Sequence, residues 1–125
     1  MDKKTNHKVL KDIVILYHAE CGDGFGAAWA AWKKFGDEAE YIPFNHNSVL
    51  PSGLKGKSIF FIDISPEAKE DIERLIKENQ SVVLIDHHKT NEDKLFLFKE
   101  YSFDNNHSGA FLAWKYFHPD KPTPK

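Results

Sequence analysis

Three short apolar runs constrain the fold of this chain most strongly. They occupy residues 13–17, 58–62 and 81–85, and none of them alternates with polar residues. A strand that is apolar at nearly every position is typical of a parallel sheet covered on both faces. The segments between the runs have helical spacing, so strands alternate with helices through right-handed crossovers. The sequence therefore predicts an α/β fold, a Rossmann-like parallel sheet flanked by helices.

The first half of the chain also indicates where shorter elements lie. Residues 24–35 are predicted to form a helix, because Trp29 and Trp32 recur at helical spacing, and Gly36 supplies its C-terminal stop. Residues 39–44 read as a short strand, and the segment that follows reads as a loop.

In the second half, Ser65 is predicted to be the N-cap of a helix that has Pro66 at its first position and runs to Asn79. Residues 95–98 are predicted to be another short strand, and residues 108–117 a last, strongly apolar helix. We expect one metal-binding domain over residues 1–118 and a Pro-rich tail over residues 119–125.

Composition bounds the class of protein. Aromatic residues make up 14% of the chain, which is enough volume for a real core, and the net charge is −2, so no basic excess indicates a long nucleic-acid groove. Cys21 is the single cysteine, which excludes an intramolecular disulfide and fits a reducing compartment. With no signal peptide and no run of about 20 apolar residues, we expect a cytoplasmic protein without a membrane partner.

Polar residues with ligand chemistry follow each of the three buried runs. His18 and Asp23 come after the first run, Asp63 after the second, and Asp86, His87 and His88 after the third. Parallel strands end at one edge of the sheet, where such folds bind ligands. Crowded carboxylates need a compensating cation, and a carboxylate and imidazole set suits Mn²⁺ or Mg²⁺, with Zn²⁺ as an alternative.

Each residue also has an ordinary structural explanation. Asp63 could be a turn or capping residue, Asp23 a turn residue between glycines, and His18 a hydrogen-bonded core histidine. Two histidines behind an aspartate at a strand end serve no packing purpose, so the set together favours a metal site over an ordinary doubly wound domain.

Glycines at the start of the first helix predict a second feature. Gly24 and Gly26 would let backbone N–H groups approach a phosphate at the positive end of the helix dipole. The spacing matches neither a dinucleotide fingerprint nor a P-loop. Tight packing of the helix explains the same glycines equally well.

These residues resemble the motifs of the DHH family of metal-dependent phosphoesterases. Asp86-His87-His88 matches the motif that names the family, residues 18–24 look like its first motif, His-x-x-Asp-x-Asp-Gly, and Asp63 stands for the second. The likeness covers roughly residues 13–119 and is greatest with nanoRNase-like and exopolyphosphatase-like members.

The resemblance implies that His18, Asp23, Asp63 and His87 bind one or two Mn²⁺ ions, with Asp63 as the bridging ligand. It implies that Asp86 orients the neighbouring imidazole and that His88 contacts the phosphate of the substrate. The implied activity is two-metal hydrolysis of a phosphodiester, phosphomonoester or phosphoanhydride in a nucleotide or short oligonucleotide.

Two departures from the family pattern shape the expectations for activity. Cys21 stands where most members have the first motif's first Asp, and a thiolate is a poor Mn²⁺ ligand. A later ligand Asp and a second, substrate-binding domain have no counterpart in the chain. We expect a truncated domain that is a gene fragment, one part of a split protein whose partner chain supplies the missing half, or a diverged binding module. We expect the isolated chain to hydrolyse phosphodiesters poorly or not at all. The alternative is a non-catalytic metal- or nucleotide-binding module that acts through a partner protein.

Overall fold

The chain forms an all-parallel α/β fold in a computed structural model that describes residues 9–19 and 22–124. Five strands run in the order β2-β1-β3-β4-β5. Their bounds are β1 Ile13–His18, β2 Ala39–Phe44, β3 Ser58–Ile62, β4 Ser81–Asp86 and β5 Glu100–Phe103. The helices are α1 Gly22–Phe35, α2 Lys69–Glu78 and α3 Gly109–Phe117, with 3₁₀ segments at Gly36–Glu38 and Lys89–Leu97. The Rossmann-like parallel sheet predicted from the three apolar runs is confirmed.

Helices cover both faces of this sheet, which explains why its central strands are continuously apolar. One core packs α1 and α3 against residues such as Ile15 and Ile85, and the other packs α2 against neighbours such as Leu16 and Leu84. Successive residues of a strand point to opposite faces. A strand between two helical layers therefore needs apolar side chains at every position.

The register of the sheet brings the strand ends to one level. Tyr17 pairs with Ile62, and Ile62 pairs with Ile85, all in parallel ladders. The next residues along the chain are His18, Asp63 and Asp86. The sheet thus delivers the polar residues that follow three different strands to the same edge.

Two predicted element boundaries are wrong. Residues 95–98 are not a strand, because Lys89–Leu97 winds as a 3₁₀ helix and the Phe98 N–H donates to the Leu95 carbonyl. The fifth strand is Glu100–Phe103. Helix α2 begins at Lys69 rather than near Ser65, whose hydroxyl donates to the Pro66 carbonyl instead of capping the helix.

The last helix follows the prediction at its start. Ser108 is its N-cap and accepts from the Phe111 N–H. Several of its apolar residues are buried by the chain itself, since Leu112, Trp114 and Phe117 lie in the core with α1. The Trp114 indole also donates to the Lys121 carbonyl in the predicted tail. The domain boundary at residue 118 stays a prediction.

An exposed aromatic face lies on α1. Phe25, Trp29 and Trp32 are 72%, 46% and 49% exposed. Their spacing places them on one side of the helix. This helix packs on the sheet with its alanines, which leaves the large rings outside. Among the described residues, none of the helices has both the length and the apolar character needed to cross a bilayer.

Candidate metal centre

Asp63 occupies the centre of the polar edge in an unusual backbone conformation. Its φ angle is +66°, which lies in the left-handed region, and Asp63 is only 1% exposed. Asp and Asn enter this region more readily than other side chains with a Cβ, although at some cost in energy. The Asp63 N–H donates to the Ile85 carbonyl at 2.8 Å, which continues the ladder between β3 and β4. The strand pairing therefore holds the turn that directs this carboxylate towards β4.

His87 lies between two carboxylates. Its Nε2 atom is 2.8 Å from Asp63 Oδ1 and 3.0 Å from Asp23 Oδ2. This nitrogen is buried, and it has no hydrogen bond of good geometry among the residues that the structure describes. A buried ring nitrogen surrounded by acidic oxygens, yet poorly aligned with them, has the surroundings of a cation ligand.

Asp23 reaches this point from the first turn of α1 and also anchors α3. Its Oδ2 and Oδ1 atoms accept the N–H groups of Gly109 and Ala110, both at 2.8 Å. Each carboxylate oxygen has more than one acceptor direction, so these bonds leave capacity for a cation. Asp23 therefore connects the first turns of two helices to the polar edge.

His18 approaches Asp63 from the opposite side. Its Nδ1 atom is 3.4 Å from Asp63 Oδ2, and its ring centre is 6.0 Å from that of His88. The four predicted ligands are thus linked by short distances through Asp63 and His87. One group of ligand atoms, all within 4.8 Å of one another, comprises Asp63, Asp86, His87 and His88. Which four residues bind an ion stays a prediction.

Asp86 is buried and heavily hydrogen-bonded. Its Oδ1 atom accepts the N–H of His87 at 2.8 Å and lies 2.7 Å from His88 Nδ1. Its Oδ2 atom accepts from the Asn91 amide at 2.6 Å. These contacts fit a residue that orients His88, because Asp86 Oδ1 lies against the His88 ring and the backbone N–H groups of His87 and His88.

Electrostatics distinguish the two carboxylates beside His87. Burial raises the pKa of Asp63, and the nearby charges of Asp23 and Asp86 raise it further against the opposing effect of His88 and His87. Burial alone would also raise the pKa of Asp23, but the N–H groups of Ala110 and Gly109 lower it below its ordinary value. A metal-free Asp63 is therefore costly to ionise, and a cation would relieve that cost.

The glycines of α1 have packing roles. A Cβ at Gly24 would collide with the backbone of His18, and one at Gly26 would lie 3.0 Å from the Ala110 Cβ. Gly26 lies in the second turn, where helix N–H groups are normally bonded within the helix, and its predicted contact with phosphate stays a prediction. Gly24 lies in the first turn, and its phosphate contact stays a prediction. Cys21 lies outside the described residues.

Sequence reasoning missed residues that support the site. Asn91 is buried against Asp86, and a Cβ at Gly109 would lie 2.5 Å from Asp63 Oδ1. Gly109 is remote in sequence from Asp63, whereas Asn91 lies five residues after Asp86, in a 3₁₀ segment that the sequence did not predict. A single Asn or Gly in a loop carries no signal of such a contact.

The donor set suits a hard or borderline divalent ion. Carboxylate oxygens and imidazole nitrogens favour Mn²⁺, Mg²⁺ or Zn²⁺, and the described part of the site offers no thiolate. The buried Nε2 of His87 and the costly charge of Asp63 both have an explanation if such an ion binds. The residues present therefore fit a metal.

Comparisons with known proteins bear on the fold and leave the activity open. No model of a known protein family matches the sequence. Uncharacterized protein R106 of Acanthamoeba polyphaga mimivirus is 31% identical over an alignment that covers 90% of this chain and 30% of that protein. The crystal structure of an uncharacterized protein from Helicobacter pylori G27 is similar over 92% of this chain and 38% of the Helicobacter pylori chain. The TM-score is 0.65 and the sequence identity is 15%. The chain thus spans less than half the length of either protein. The similarity to the Helicobacter pylori structure shows a shared fold.

Proposed function

We propose that this domain is a metal-dependent phosphoesterase of the DHH type. The observation that carries the proposal is the meeting of Asp23, Asp63 and His87, with His87 Nε2 buried within 3.0 Å of both carboxylates. Ordinary packing does not require a buried imidazole between two acids. The order of the residues along the chain, with Asp-His-His after the fourth strand, adds the motif resemblance to this geometry.

The side chains divide into holding and orienting roles under this proposal. Asp63 and His87 would hold the ion or ions, with His18 and Asp23 on either side. Bound divalent ions supply Lewis acidity and lower the pKa of water, which is the chemistry that phosphate ester hydrolysis needs. Asp86 orients His88 through the 2.7 Å contact, so that the His88 imidazole can donate to a phosphoryl oxygen. Mn²⁺ is our first choice of ion, with Mg²⁺ or Zn²⁺ as alternatives.

The proposed substrates are small and carry phosphate: a nucleotide, a short oligonucleotide or pyrophosphate. The net charge of −2 gives no broad basic surface for duplex nucleic acid. Because the chain spans 30% of its mimivirus relative, a partner chain or further domain that positions the substrate and speeds turnover is part of the proposal, and the chain alone is expected to hydrolyse slowly.

The test is turnover by the 125-residue chain with Mn²⁺, using a short oligonucleotide, a 3′,5′-bisphosphate nucleotide and pyrophosphate. We expect slow hydrolysis of at least one substrate, and its loss in His87→Ala. Asp104→Asn is the matched control, since Asp104 bonds to Asn106 and His107 outside the cluster. Bound Mn²⁺ without any turnover after long incubation would contradict the hydrolase proposal.

The exposed aromatic face of α1 favours a second candidate, a non-catalytic metal- or nucleotide-binding module that acts through a partner protein. Phe25, Trp29 and Trp32 form a connected apolar surface beside Tyr17 and Tyr41. Large exposed apolar surfaces mark interaction sites. Mn²⁺ binding without hydrolysis, together with a change in sedimentation between wild type and Trp29→Lys, would support this candidate. Hydrolysis lost in His87→Ala would exclude a non-catalytic role.

A further inference from the structure

A fourth histidine lies at the polar edge, and neither the motif resemblance nor the ligand cluster includes it. His46 follows β2, the neighbour of β1, at the carboxyl end of the strand. Its ring centre is 5.7 Å from that of His18, in an edge-to-face arrangement. His18 in turn lies 6.0 Å from His88, so three imidazoles from three strand ends form a row along the edge.

The backbone at His46 is held in a closed turn. The Ser48 N–H donates to the Asn45 carbonyl, and the Asn45 N–H donates to the Ser48 hydroxyl, both at 3.0 Å. The Ala19 N–H donates to the Phe44 carbonyl at 3.0 Å, which ties this turn to the loop that follows β1. The position of His46 beside His18 is therefore set by backbone hydrogen bonds on both sides of it.

A carboxylate orients the imidazole of His46. Its Nδ1 atom is 3.5 Å from Glu67 Oε2, in the loop that joins β3 to α2. That loop is fixed by Lys94, whose ammonium donates to the Pro66 carbonyl and to Asn91, the residue that bonds Asp86. A carboxylate on one ring nitrogen sets the tautomer and leaves the other nitrogen for a ligand.

His46 lies outside the group of ligand atoms that are all within 4.8 Å of one another. Its side chain is 51% exposed, so it is not required for core packing. A half-exposed imidazole, oriented by a carboxylate and next to the ligand His18, is placed to meet a bound molecule rather than the ion.

We propose that His46, oriented by Glu67, is a further substrate-positioning residue that contacts an oxygen of the phosphate-bearing substrate on the β2 side of the metal centre. The inference rests on the proposed function, because it takes the ion site as the place where the phosphate binds. His88 and His46 would then contact the substrate from the two sides of His18.

The first experiment measures the affinity of the Mn²⁺-loaded chain for inorganic phosphate by calorimetry. We expect about tenfold weaker binding in His46→Ala, because the variant loses a hydrogen bond to a charged phosphate oxygen. Glu67→Gln should weaken binding about threefold, and the double variant should bind no more weakly than His46→Ala, because Glu67 acts through His46. Asn47→Ala, in the same turn, should leave the affinity unchanged. In the turnover assay, His46→Ala should raise KM more than it lowers kcat.

The outcomes separate this inference from the proposed function. Unchanged phosphate affinity and KM in His46→Ala, with Mn²⁺ stabilisation intact, would overturn the role of His46 and leave the metal site standing. Loss of Mn²⁺ stabilisation in His46→Ala would make it a metal ligand and also overturn the inference. If the wild type shows no Mn²⁺ stabilisation, the proposed function fails. In that case, a phosphate affinity of the metal-free protein that is unchanged in His46→Ala would overturn the inference too.

Discussion

Replacing Asp63 by Asn should stabilise the metal-free protein and at the same time abolish its response to metal. Asparagine has nearly the same shape, and it tolerates the φ of +66° that this position requires. The substitution removes the charge whose pKa is raised by burial and by Asp23. It therefore changes the electrostatics of the site with little effect on its shape.

The size of the effect follows from the distances. Asp23 Oδ2 and Asp63 Oδ1 both lie within 3.0 Å of His87 Nε2, so these oxygens are at most about 6 Å apart. Two unit charges at that distance repel by about 3 kcal/mol at an effective dielectric constant near 20. Attraction to His87 offsets part of this. We expect the free energy of unfolding of metal-free Asp63→Asn to rise by about 1–2 kcal/mol, which raises Tm by roughly 3–8 °C.

The assay is thermal unfolding in EDTA and in millimolar Mn²⁺. At 100 times its dissociation constant, one ion should stabilise the wild type by about 2.7 kcal/mol, and Asp63→Asn should show no such gain. Asp104→Asn should behave as the wild type in Mn²⁺. A metal-free Asp63→Asn that is less stable than the wild type, or that keeps the full Mn²⁺ gain, would refute the electrostatic reasoning.

Three further predictions concern the surroundings of the site. Asp23→Ala should destabilise the protein in EDTA by about 1–3 kcal/mol, because the first N–H groups of α3 lose their acceptor. Urea unfolding measures this, and an unchanged free energy of unfolding would contradict the anchoring of α3. Gly109→Ala should lower Tm and the Mn²⁺ gain through its clash with Asp63, whereas Gly22→Ala, with open space around it, should retain the gain. In EDTA, stability should fall as pH rises through the raised pKa of Asp63, because the folded state holds that proton more tightly than the unfolded chain. The depressed pKa of Asp23 acts oppositely, since its contribution to stability is lost as pH falls through that pKa. If the stability of Asp63→Asn declined with rising pH as the wild type does, the decline could not be assigned to Asp63.

The sheet and the convergence of its strand ends could be predicted because both depend on local patterns. Continuous apolar runs indicate buried parallel strands, and parallel strands place residues such as His18 and Asp63 at one edge. The start of α2 could not be predicted, since Ser65 and Pro66 have good N-cap chemistry but are buried in a loop that Lys94 holds from another segment. Tertiary contacts decided that boundary.

The supporting contacts of the site were beyond sequence reasoning for a similar reason. Asp23 receives its two N–H donors from residues 86 and 87 positions away, and His46 meets Glu67 across a loop that no periodicity specifies. The exposed aromatic face of α1 was likewise not predicted, because the spacing of Trp29 and Trp32 indicates a helix but not which of its sides is covered. Spacing alone does not tell which of two adjacent apolar helices is covered by the other.

The central claim is that a divalent ion binds where β1, β3 and β4 end. Anomalous diffraction from crystals grown with Mn²⁺ tests it most directly. The account predicts a manganese peak within bonding distance of an Asp63 carboxylate oxygen and of His87 Nε2. A peak bound only elsewhere on the surface, or no peak at saturating Mn²⁺, would contradict it.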